Sequence, residues 1–269
     1  MEFEFFKMQG TGNDFIVIDN RLLRIKNFSA FAKKYCRRRL SIGADGVLAV
    51  EKSDTADFKM RIINADGTEA EMCGNGARCI AMFAYLKGIA KEKMSFETLA
   101  GITNAEIIDK ENVKVNLNYP VKLELNRIIK VDDENLKVHF INTGVPHTIV
   151  FVDDIENFAV KEMGRKIRHH SAFQPAGTNV NFVRDLNHST IRVRTYERGV
   201  EDETLACGTG SVASAIMSAI IKELSVPVKV ITSSKEELIV DFQLDKTGVS
   251  DIYLTGPVKV VYKGVVKED

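Results

Sequence analysis

The chain has 269 residues, of which 45% are hydrophobic and only five are prolines, so it can form one large domain or two ordinary ones with a buried core. Its 37 basic side chains balance 37 acidic ones, which argues against a nucleic-acid partner or a polybasic membrane surface. The first ten residues lack the pattern of a secretory signal, and no apolar run is long enough to cross a membrane. We therefore expect a cytoplasmic protein that acts on a small molecule.

Strand and helix patterns alternate along the whole chain. In the first half, the patterns predict a strand at Phe15–Asp19, a helix at Ala30–Arg39, strands at Val47–Glu51 and Phe58–Asn64, a helix at Ala77–Leu86, and strands at Thr103–Ile108 and Val113–Asn118. In the second half, they predict strands at Val138–Asn142 and Thr148–Val152, a helix at Ala159–Arg168, strands at Asn179–Val183 and Thr190–Tyr196, a helix at Ser211–Ile221, and strands at Val228–Thr232 and Leu238–Phe242.

The four predicted helices are of two kinds. Ala77–Leu86 and Ser211–Ile221 are apolar nearly all round, which is typical of a helix buried in the middle of a domain. Ala30–Arg39 and Ala159–Arg168 are amphipathic, so we expect them to cover the surface with one face buried.

The two halves of the sequence share three landmarks in the same order. The landmarks recur at separations of 132, 134 and 134 residues, which are hard to obtain by chance although identity between the halves is low. The pairs are Gly12 with Gly144, Gly43 with Gly177, and Cys73 with Cys207. The sequence therefore contains an internal repeat.

The repeat predicts an α/β fold of two pseudo-symmetric domains. Each domain would be a curved, mostly antiparallel sheet around one central buried helix, with the join near Tyr119-Pro120. We expect the first domain to span 1–118 and the second 119–257, with a C-terminal strand at 258–269 packing on the first. In such an arrangement Cys73 and Cys207 would face one another.

The chain has only four cysteines, too few for a disulfide scaffold of this length. Cys73 and Cys79 lack the spacing of a structural zinc site, so we expect no metal. Cys36 and Cys79 are interpreted as small buried apolar residues.

Cys73 and Cys207 each precede a glycine-rich turn that opens a predicted helix. The free backbone N–H groups and the positive end of the helix dipole favour both a thiolate and a bound anion at such a position. Two thiols beside a bound carboxylate suit inversion at the adjacent carbon: one takes a proton from one face and the other returns a proton to the opposite face. This chemistry requires no cofactor in principle.

At these residues the sequence resembles the diaminopimelate epimerase family nearly end to end. The matching motifs are Gly10-Thr-Gly-Asn-Asp-Phe15, Asn64-Ala-Asp-Gly67, Glu71-Met-Cys-Gly-Asn-Gly-Ala-Arg-Cys79 and Glu197-Arg-Gly-Val-Glu-Asp-Glu-Thr-Leu-Ala-Cys-Gly-Thr-Gly210. The resemblance implies a homodimeric, cofactor-independent enzyme that interconverts LL- and meso-2,6-diaminopimelate for lysine and peptidoglycan precursor synthesis. It also implies that Cys73 and Cys207 are the two acid/base groups.

The resemblance implies roles for further residues. Backbone N–H groups of Gly74, Asn75, Gly208 and Thr209 would bind the reacting carboxylate, and Asn13, Asn64, Asn179, Glu197 and Arg198 would hold the substrate, with Arg198 on its distal carboxylate. His147 and Glu197 would adjust the protonation of the thiols. Val145 departs from the family pattern, because many relatives have Asn there in a turn that touches the substrate, and Asn142, Thr143 or water would have to substitute.

Two alternatives stay open at this point. The first is a proline or hydroxyproline racemase, which uses the same two-thiol logic, although Arg198 and the several asparagines favour a substrate with a second charged end. The second is a redox switch in which Cys73 and Cys207 form a reversible disulfide that regulates a partner.

Overall fold

A computed structural model describes residues 2–246 and 248–267, and it divides the chain into two compact units. The first unit consists of the chain up to Asn116 together with the segment that begins at Thr255, and the second is Leu117–Leu254. Strands with a few helices make up both units, so the predicted mixed α/β class is confirmed. The last two residues of the predicted strand 258–269 lie outside the described residues.

The first unit has its strands before and after one long helix. Its elements are β1 (Glu2–Gly10), β2 (Asn13–Asp19), α1 (Phe28–Tyr35), β3 (Gly46–Glu51), β4 (Phe58–Asn64), β5 (Glu69–Ala70), α2 (Gly74–Leu86), β6 (Lys93–Thr98), β7 (Gly101–Ile107), β8 (Asn112–Asn116) and, at the end of the chain, β18 (Lys259–Lys267). The strands pair in the order β18, β1, β2, β3, β4, with β5 and β6 both on β4, followed by β7 and β8.

The second unit has a similar succession of elements, with one more strand before its first helix and a short 3₁₀ turn after that helix. They are β9 (Val121–Val131), β10 (Glu134–Asn142), β11 (Pro146–Phe151), α3 (Val160–Arg168), a short 3₁₀ turn (Ser171–Phe173), β12 (Asn179–Asn187), β13 (Thr190–Glu197), β14 (Asp202–Thr204), α4 (Gly208–Lys222), β15 (Val228–Ile231), β16 (Glu237–Asp245) and β17 (Gly248–Pro257). β17 contains the residues at which the second unit ends and the first resumes.

Strand direction repeats between the units, which supports the internal repeat found in the sequence. In the first unit β2 is parallel to β3 and β4 is parallel to β6, while the neighbouring pairs are antiparallel. In the second unit β11 is parallel to β12 and β13 is parallel to β15, again among antiparallel pairs. Each half therefore folds by the same pairing scheme despite its low sequence identity to the other.

A buried helix lies among the strands of each unit, as predicted. In α2 every residue from Gly74 to Ala84 is buried, and the helix packs against β1, β2, β3, β7 and β8. In α4 nearly every residue from Gly208 to Ala219 is buried, and this helix packs against β10, β11, β12, β13 and β15. Small residues and apolar side chains on all faces allow strands to surround these two helices. No helix within the described residues is long and apolar enough to cross a membrane.

The predicted helix at Ala30–Arg39 is displaced in the structure, where α1 spans Phe28–Tyr35. It begins earlier because the Asn27 side chain accepts a hydrogen bond from Ala30 N at 3.0 Å and caps the first turn. It ends earlier because the chain turns away at Cys36, and Arg39 has a left-handed φ of 66°. The predicted end at Arg39 is wrong.

Several strands have no counterpart in the sequence prediction, namely β1, β5, β6, β9, β14 and β17. β1 is buried on both faces over much of its length, so the alternation that identifies a half-exposed strand is weak there. β9 does carry a readable alternation, because Val121, Leu123 and Leu125 are separated by polar residues. β5 and β14 have only two and three residues, too few for any periodic pattern.

Candidate active site

Cys73 is the residue that caps the start of α2. Its backbone is extended, with φ −145° and ψ 118°, and its sulfur accepts a hydrogen bond from Gly76 N at 3.5 Å. The first amides of a helix have no carbonyl partner within the helix, so those of Gly74 and Asn75 are suited to bind an anion. The structure thus bears out the expectation that Cys73 lies at a helix start, and the side chain is partly exposed.

Asn13 lies beside Cys73, although 60 residues separate the two in sequence. Cys73 Sγ is 3.6 Å from Asn13 Oδ1, with the thiol as donor. The amide nitrogen of Asn13 donates to Asp45 Oδ2 at 2.6 Å, and the backbone N–H of Asp14 donates to the same oxygen at 3.0 Å. Asp45 therefore orients the Asn13 side chain so that its carbonyl oxygen is directed at the sulfur.

Asp45 belongs to a cluster of charges behind Asn13. Arg38 bridges Asp14 at 2.5 Å and Asp45 at 2.8 Å, and Lys7 pairs with Asp14 at 2.6 Å. Burial alone raises the pKa of Asp14, but the hydrogen bonds from Arg38 and Lys7 outweigh it and hold the pKa below its ordinary value. The Asp14 carboxylate is thus held ionised, and the ion pairs with Arg38 hold both carboxylates in fixed positions.

The side chain of Asn75 is engaged within the first unit. Its Oδ1 accepts a hydrogen bond from Arg78 at 2.9 Å, and the wholly buried Arg78 also donates to Thr11 Oγ1 at 2.7 Å and to Gly74 O at 3.2 Å. Arg78 thereby fixes the first turn of α2 against the Gly10-Thr-Gly loop. The backbone N–H of Asn75, rather than its side chain, is the group that this geometry offers to a ligand.

Asn64 lies at the exposed end of β4, where its amide donates to Thr68 Oγ1 at 3.0 Å across a turn. This is a different environment from that of Asn13. The side chain of Asn64 is held by Thr68 of the same turn, whereas that of Asn13 is held by Asp45 and contacts Cys73.

Cys207 caps α4 as Cys73 caps α2, with an extended backbone at φ −122° and ψ 113°. Its side chain is buried, and its Sγ is 3.5 Å from Thr209 Oγ1. The amides of Gly208 and Thr209 open the helix in the positions that Gly74 and Asn75 hold in α2. Each unit therefore presents one cysteine and two helix-start amides.

His147 joins Cys207 through Thr209. His147 Nε2 is 3.0 Å from Thr209 Oγ1, and the imidazole is completely buried. Burial lowers the pKa of His147, and the nearby Arg198 cation lowers it further, to about 3. The imidazole is therefore neutral at every pH near neutrality, and the structure brings His147, the Thr209 side chain and Cys207 together within the second unit.

Asn179 and Arg198 lie together at the ends of β12 and β13. Asn179 Oδ1 accepts from Arg198 N at 2.8 Å, and its amide donates to Pro146 O at 3.1 Å. The Arg198 guanidinium donates to Ala176 O at 3.0 Å through one nitrogen. Asn179 thus ties the turn that carries Arg198 to the start of β11. Glu197, the last residue of β13, is partly buried.

The turn around Val145 is held by its neighbours. Asn142 Oδ1 accepts from Gly144 N at 3.0 Å, and Thr143 Oγ1 donates to Thr209 O at 3.3 Å. The two side chains that could substitute for an asparagine at Val145 therefore bond to the protein itself. Of the two, Thr143 is attached to the first turn of α4.

The remaining cysteines are buried, as expected. Burial raises the pKa of Cys36 to about 11 and that of Cys79 to about 12, so both stay protonated near neutral pH. Among residues 2–246 and 248–267, no group of three or more His, Cys, Asp or Glu side chains is arranged to hold a metal ion.

The sequence analysis missed two polar residues next to this machinery, Asp45 and Asn181. Asp45 lies two residues after Gly43 and Asn181 lies four residues after Gly177, and those glycines form one of the three landmark pairs of the repeat. The signal that could have identified them is therefore their position at a repeated landmark. The contact of Asp45 with Asn13 spans 32 positions and that of Asn181 with His147 spans 34, so neither is apparent from the local sequence.

Solved structures with the same fold include several isomerases. A PhzF-family phenazine biosynthesis protein from Bacillus anthracis aligns over 100% of both chains with a TM-score of 0.79 at 16% identity. A probable proline racemase from Agrobacterium radiobacter K84 aligns over 99% of this chain and 93% of its own with a TM-score of 0.73 at 16% identity. At such low identity these likenesses establish the fold alone, a two-unit α/β fold shared with racemases and epimerases.

Sequence comparison identifies the family. The diaminopimelate epimerase family profile matches residues 5–123 and 139–261. A diaminopimelate epimerase from Aquifex aeolicus is 46% identical over 99% of this chain and 98% of its own length. One from Methanocella arvoryzae is 44% identical over 99% of this chain and 97% of its own. The chain belongs to the diaminopimelate epimerase family.

Proposed function

We propose that this protein interconverts LL- and meso-2,6-diaminopimelate without a cofactor, with Cys73 and Cys207 as the two acid/base groups. The observation that carries the proposal is that each unit presents one cysteine as the cap of a buried, glycine-led helix. Membership of the family supports the substrate. In this role the enzyme supplies lysine and peptidoglycan precursor synthesis.

The reaction requires one thiolate and one thiol. The thiolate takes the proton from the α-carbon, and the thiol of the other cysteine gives a proton to the opposite face, so the configuration inverts and the two cysteines exchange protonation states. The carbanionic intermediate needs stabilisation, for which the helix-start amides of Gly74, Asn75, Gly208 and Thr209 are suited. Each such donor contributes about 3 kcal/mol when it is preorganised toward developing charge.

The rest of the substrate needs polar partners. Arg198 has guanidinium N–H groups beyond the one bonded to Ala176 O, and we assign them to the distal carboxylate. Asn13, Asn64, Asn179 and Glu197 complete the binding set in this proposal. Asn179 contributes to substrate binding by holding the turn that carries Arg198 in place, because its side chain bonds both to Pro146 O and to Arg198 N. His147 and Glu197 adjust the protonation of the thiols.

We also propose that the protein is a cytoplasmic homodimer. The support is a set of exposed apolar side chains at the start of β9 and just before it, namely Tyr119, Val121, Leu123 and Leu125. Exposed apolar residues that follow one another along a strand are typical of a surface that another copy covers. The concentration dependence of the sedimentation coefficient measures this assembly.

The function is tested by proton NMR of LL-diaminopimelate with the reduced protein in D2O. We expect loss of the α-proton signal together with appearance of the meso isomer. Cys73→Ala and Cys207→Ala should each abolish both changes, whereas the matched control Cys79→Ala, six residues along the same helix as Cys73, should retain them. A folded, reduced protein that leaves diaminopimelate unchanged but exchanges the α-proton of proline would replace this proposal with a proline racemase.

The redox alternative has its own measurement. Mass spectrometry of protein isolated under alkylating conditions reports whether Cys73 and Cys207 are joined in cells. For the proposed function we expect free thiols in the active protein and recovery of activity after reduction. A partner whose binding changes with the disulfide, and still changes in an Arg198→Ala variant, would favour a regulatory switch.

A further inference from the structure

We propose that Asn181 is a positioning residue that holds His147 as its Nε2–H tautomer and so directs the hydroxyl hydrogen of Thr209 at Cys207 Sγ. The inference rests on the proposed function for its catalytic consequence, while the hydrogen-bond arrangement stands on the second unit alone. Asn181 lies on β12, is completely buried, and is one strand position beyond Val180, which follows Asn179.

The orientation of the Asn181 amide follows from its partners. Its nitrogen lies 3.1 Å from His147 Nδ1 and 3.4 Å from the carbonyl oxygen of Thr148, and its oxygen lies 2.9 Å from Thr195 Oγ1. A backbone carbonyl can only accept a hydrogen bond, so the side-chain atom facing Thr148 O is the NH2 group. The hydroxyl of Thr195 donates to the amide oxygen on the other side.

This orientation decides which ring nitrogen of His147 carries hydrogen. An NH2 group donates, so His147 Nδ1 must be the acceptor. A neutral imidazole has one N–H, which is then on Nε2 and points to Thr209 Oγ1 at 3.0 Å. The ring remains neutral because it is buried and because the Arg198 cation opposes a second positive charge.

The Thr209 hydroxyl connects His147 to the sulfur of Cys207. Its hydroxyl oxygen accepts from His147, so its own hydrogen is free to point to Cys207 Sγ, 3.5 Å away. A hydrogen bond donated to sulfur stabilises the thiolate over the thiol. The row of Asn181, His147, Thr209 and Cys207 therefore prepares Cys207 to accept the proton of the substrate.

The packing of α4 supports the same role. A Cβ atom added at Gly210 would lie 2.3 Å from Asn181 Oδ1, so the first turn of the helix approaches Asn181 more closely than any side chain at position 210 would permit. Asn181 is thereby fixed against the same turn that carries Cys207 and Thr209.

The tautomer is measured directly by NMR of protein containing 15N-labelled histidine, with His147 assigned by its loss in His147→Gln. In the unmodified protein we expect a protonated Nε2 and an unprotonated Nδ1. The variant Asn181→Asp keeps the shape of the side chain but can only accept at that position, so His147 Nδ1 should become protonated. The control Asn187→Asp makes the same change at an exposed position of β12 and should leave the spectrum of His147 unaltered.

The rate of α-proton exchange provides a second readout. We expect Asn181→Asp to lower kcat by about ten-fold, the effect of misdirecting one hydrogen bond, with KM changed less than about two-fold. In a Thr209→Val background the same substitution should have little effect, because the connection to Cys207 is already broken. Asn187→Asp should retain full kcat.

Each outcome decides the inference. A protonated Nδ1 in the unmodified protein would overturn it without recourse to any variant, as would an unprotonated Nδ1 in Asn181→Asp. If Asn181→Asp lowered kcat equally in the unmodified protein and in the Thr209→Val background, the proposal that Asn181 acts on Cys207 through the Thr209 hydroxyl would be overturned. If the protein proved inactive on diaminopimelate, the proposed function would fail, but the spectrum of His147 would still test the tautomer.

Discussion

Asp45 accepts a 2.6 Å hydrogen bond from the side-chain amide of Asn13, and the carbonyl oxygen of that amide lies 3.6 Å from Cys73 Sγ. A carboxylate can only accept, so the NH2 group of Asn13 must face Asp45 and its oxygen must face the thiol. Asp45 therefore sets the orientation of Asn13, which contacts Cys73. Asn181 has the corresponding effect in the second unit, where it sets the tautomer of His147.

The first prediction concerns that direction. Asp45→Ala frees the Asn13 amide to rotate, and we expect kcat for α-proton exchange to fall by about ten-fold, the equivalent of about one lost hydrogen bond. Arg38→Ala is the matched control, because it removes the ion pairs of Asp14 and Asp45 but leaves the bond of Asp45 to Asn13. Equal losses in the two variants would show that the ion pair, not the orientation of Asn13, matters.

The second prediction concerns the pH dependence of the reaction. Because one cysteine must be thiolate while the other is thiol, kcat/KM should follow a bell-shaped profile whose two limbs belong to the coupled pair. Steady-state rates across the neutral and alkaline range measure it. A flat profile over that range would contradict two-thiol chemistry.

The third prediction concerns the stability contribution of His147. The pKa of His147 is about 3 in the folded protein, against the ordinary value of 6.5. In the window from pH 6.5 down to about pH 3, His147 is therefore protonated in the unfolded chain but stays neutral in the folded protein. The free energy of unfolding should therefore decrease as the pH falls through that window, by up to about 1.4 kcal/mol per pH unit from this group.

Urea unfolding at several pH values in the window measures this slope. His147→Gln should reduce it, because glutamine has no proton to gain, whereas the exposed control His188→Gln should not. An unchanged slope in His147→Gln would assign the effect to other groups.

The fourth prediction concerns packing in the second unit. A Cβ atom at Gly164 in α3 would lie 2.4 Å from Tyr196 Cβ on β13, so Gly164→Ala should lower the free energy of unfolding by about 1–3 kcal/mol although alanine favours a helix. Glu162→Ala, at an exposed position of the same helix, should change it by less than about 0.5 kcal/mol. Denaturant midpoints measure both. A stabilised Gly164→Ala would show that α3 can move away from the sheet.

Features that depend on local pattern could be predicted from the amino-acid sequence. The repeat, the fold class, the two buried helices and the position of a cysteine before each of them follow from spacing and from runs of small and apolar residues. A helix start is a local event, since a capping residue and the first turn are neighbours in the chain. For this reason the sequence pattern is enough to single out Cys73 and Cys207.

The directions of the polar groups around each cysteine depend on the folded chain. Asn13 and Asp45 are 32 residues apart, and His147 and Asn181 are 34 apart, so their contacts arise from strand pairing between β2 and β3 and between β11 and β12. Sequence analysis named Asn13 and His147 through a resemblance, but it could not show what holds them. The lowered pKa of His147 also depends on the folded chain, because its main cause is burial. The burial of one side chain is decided by tertiary packing and cannot be read from that residue in the sequence.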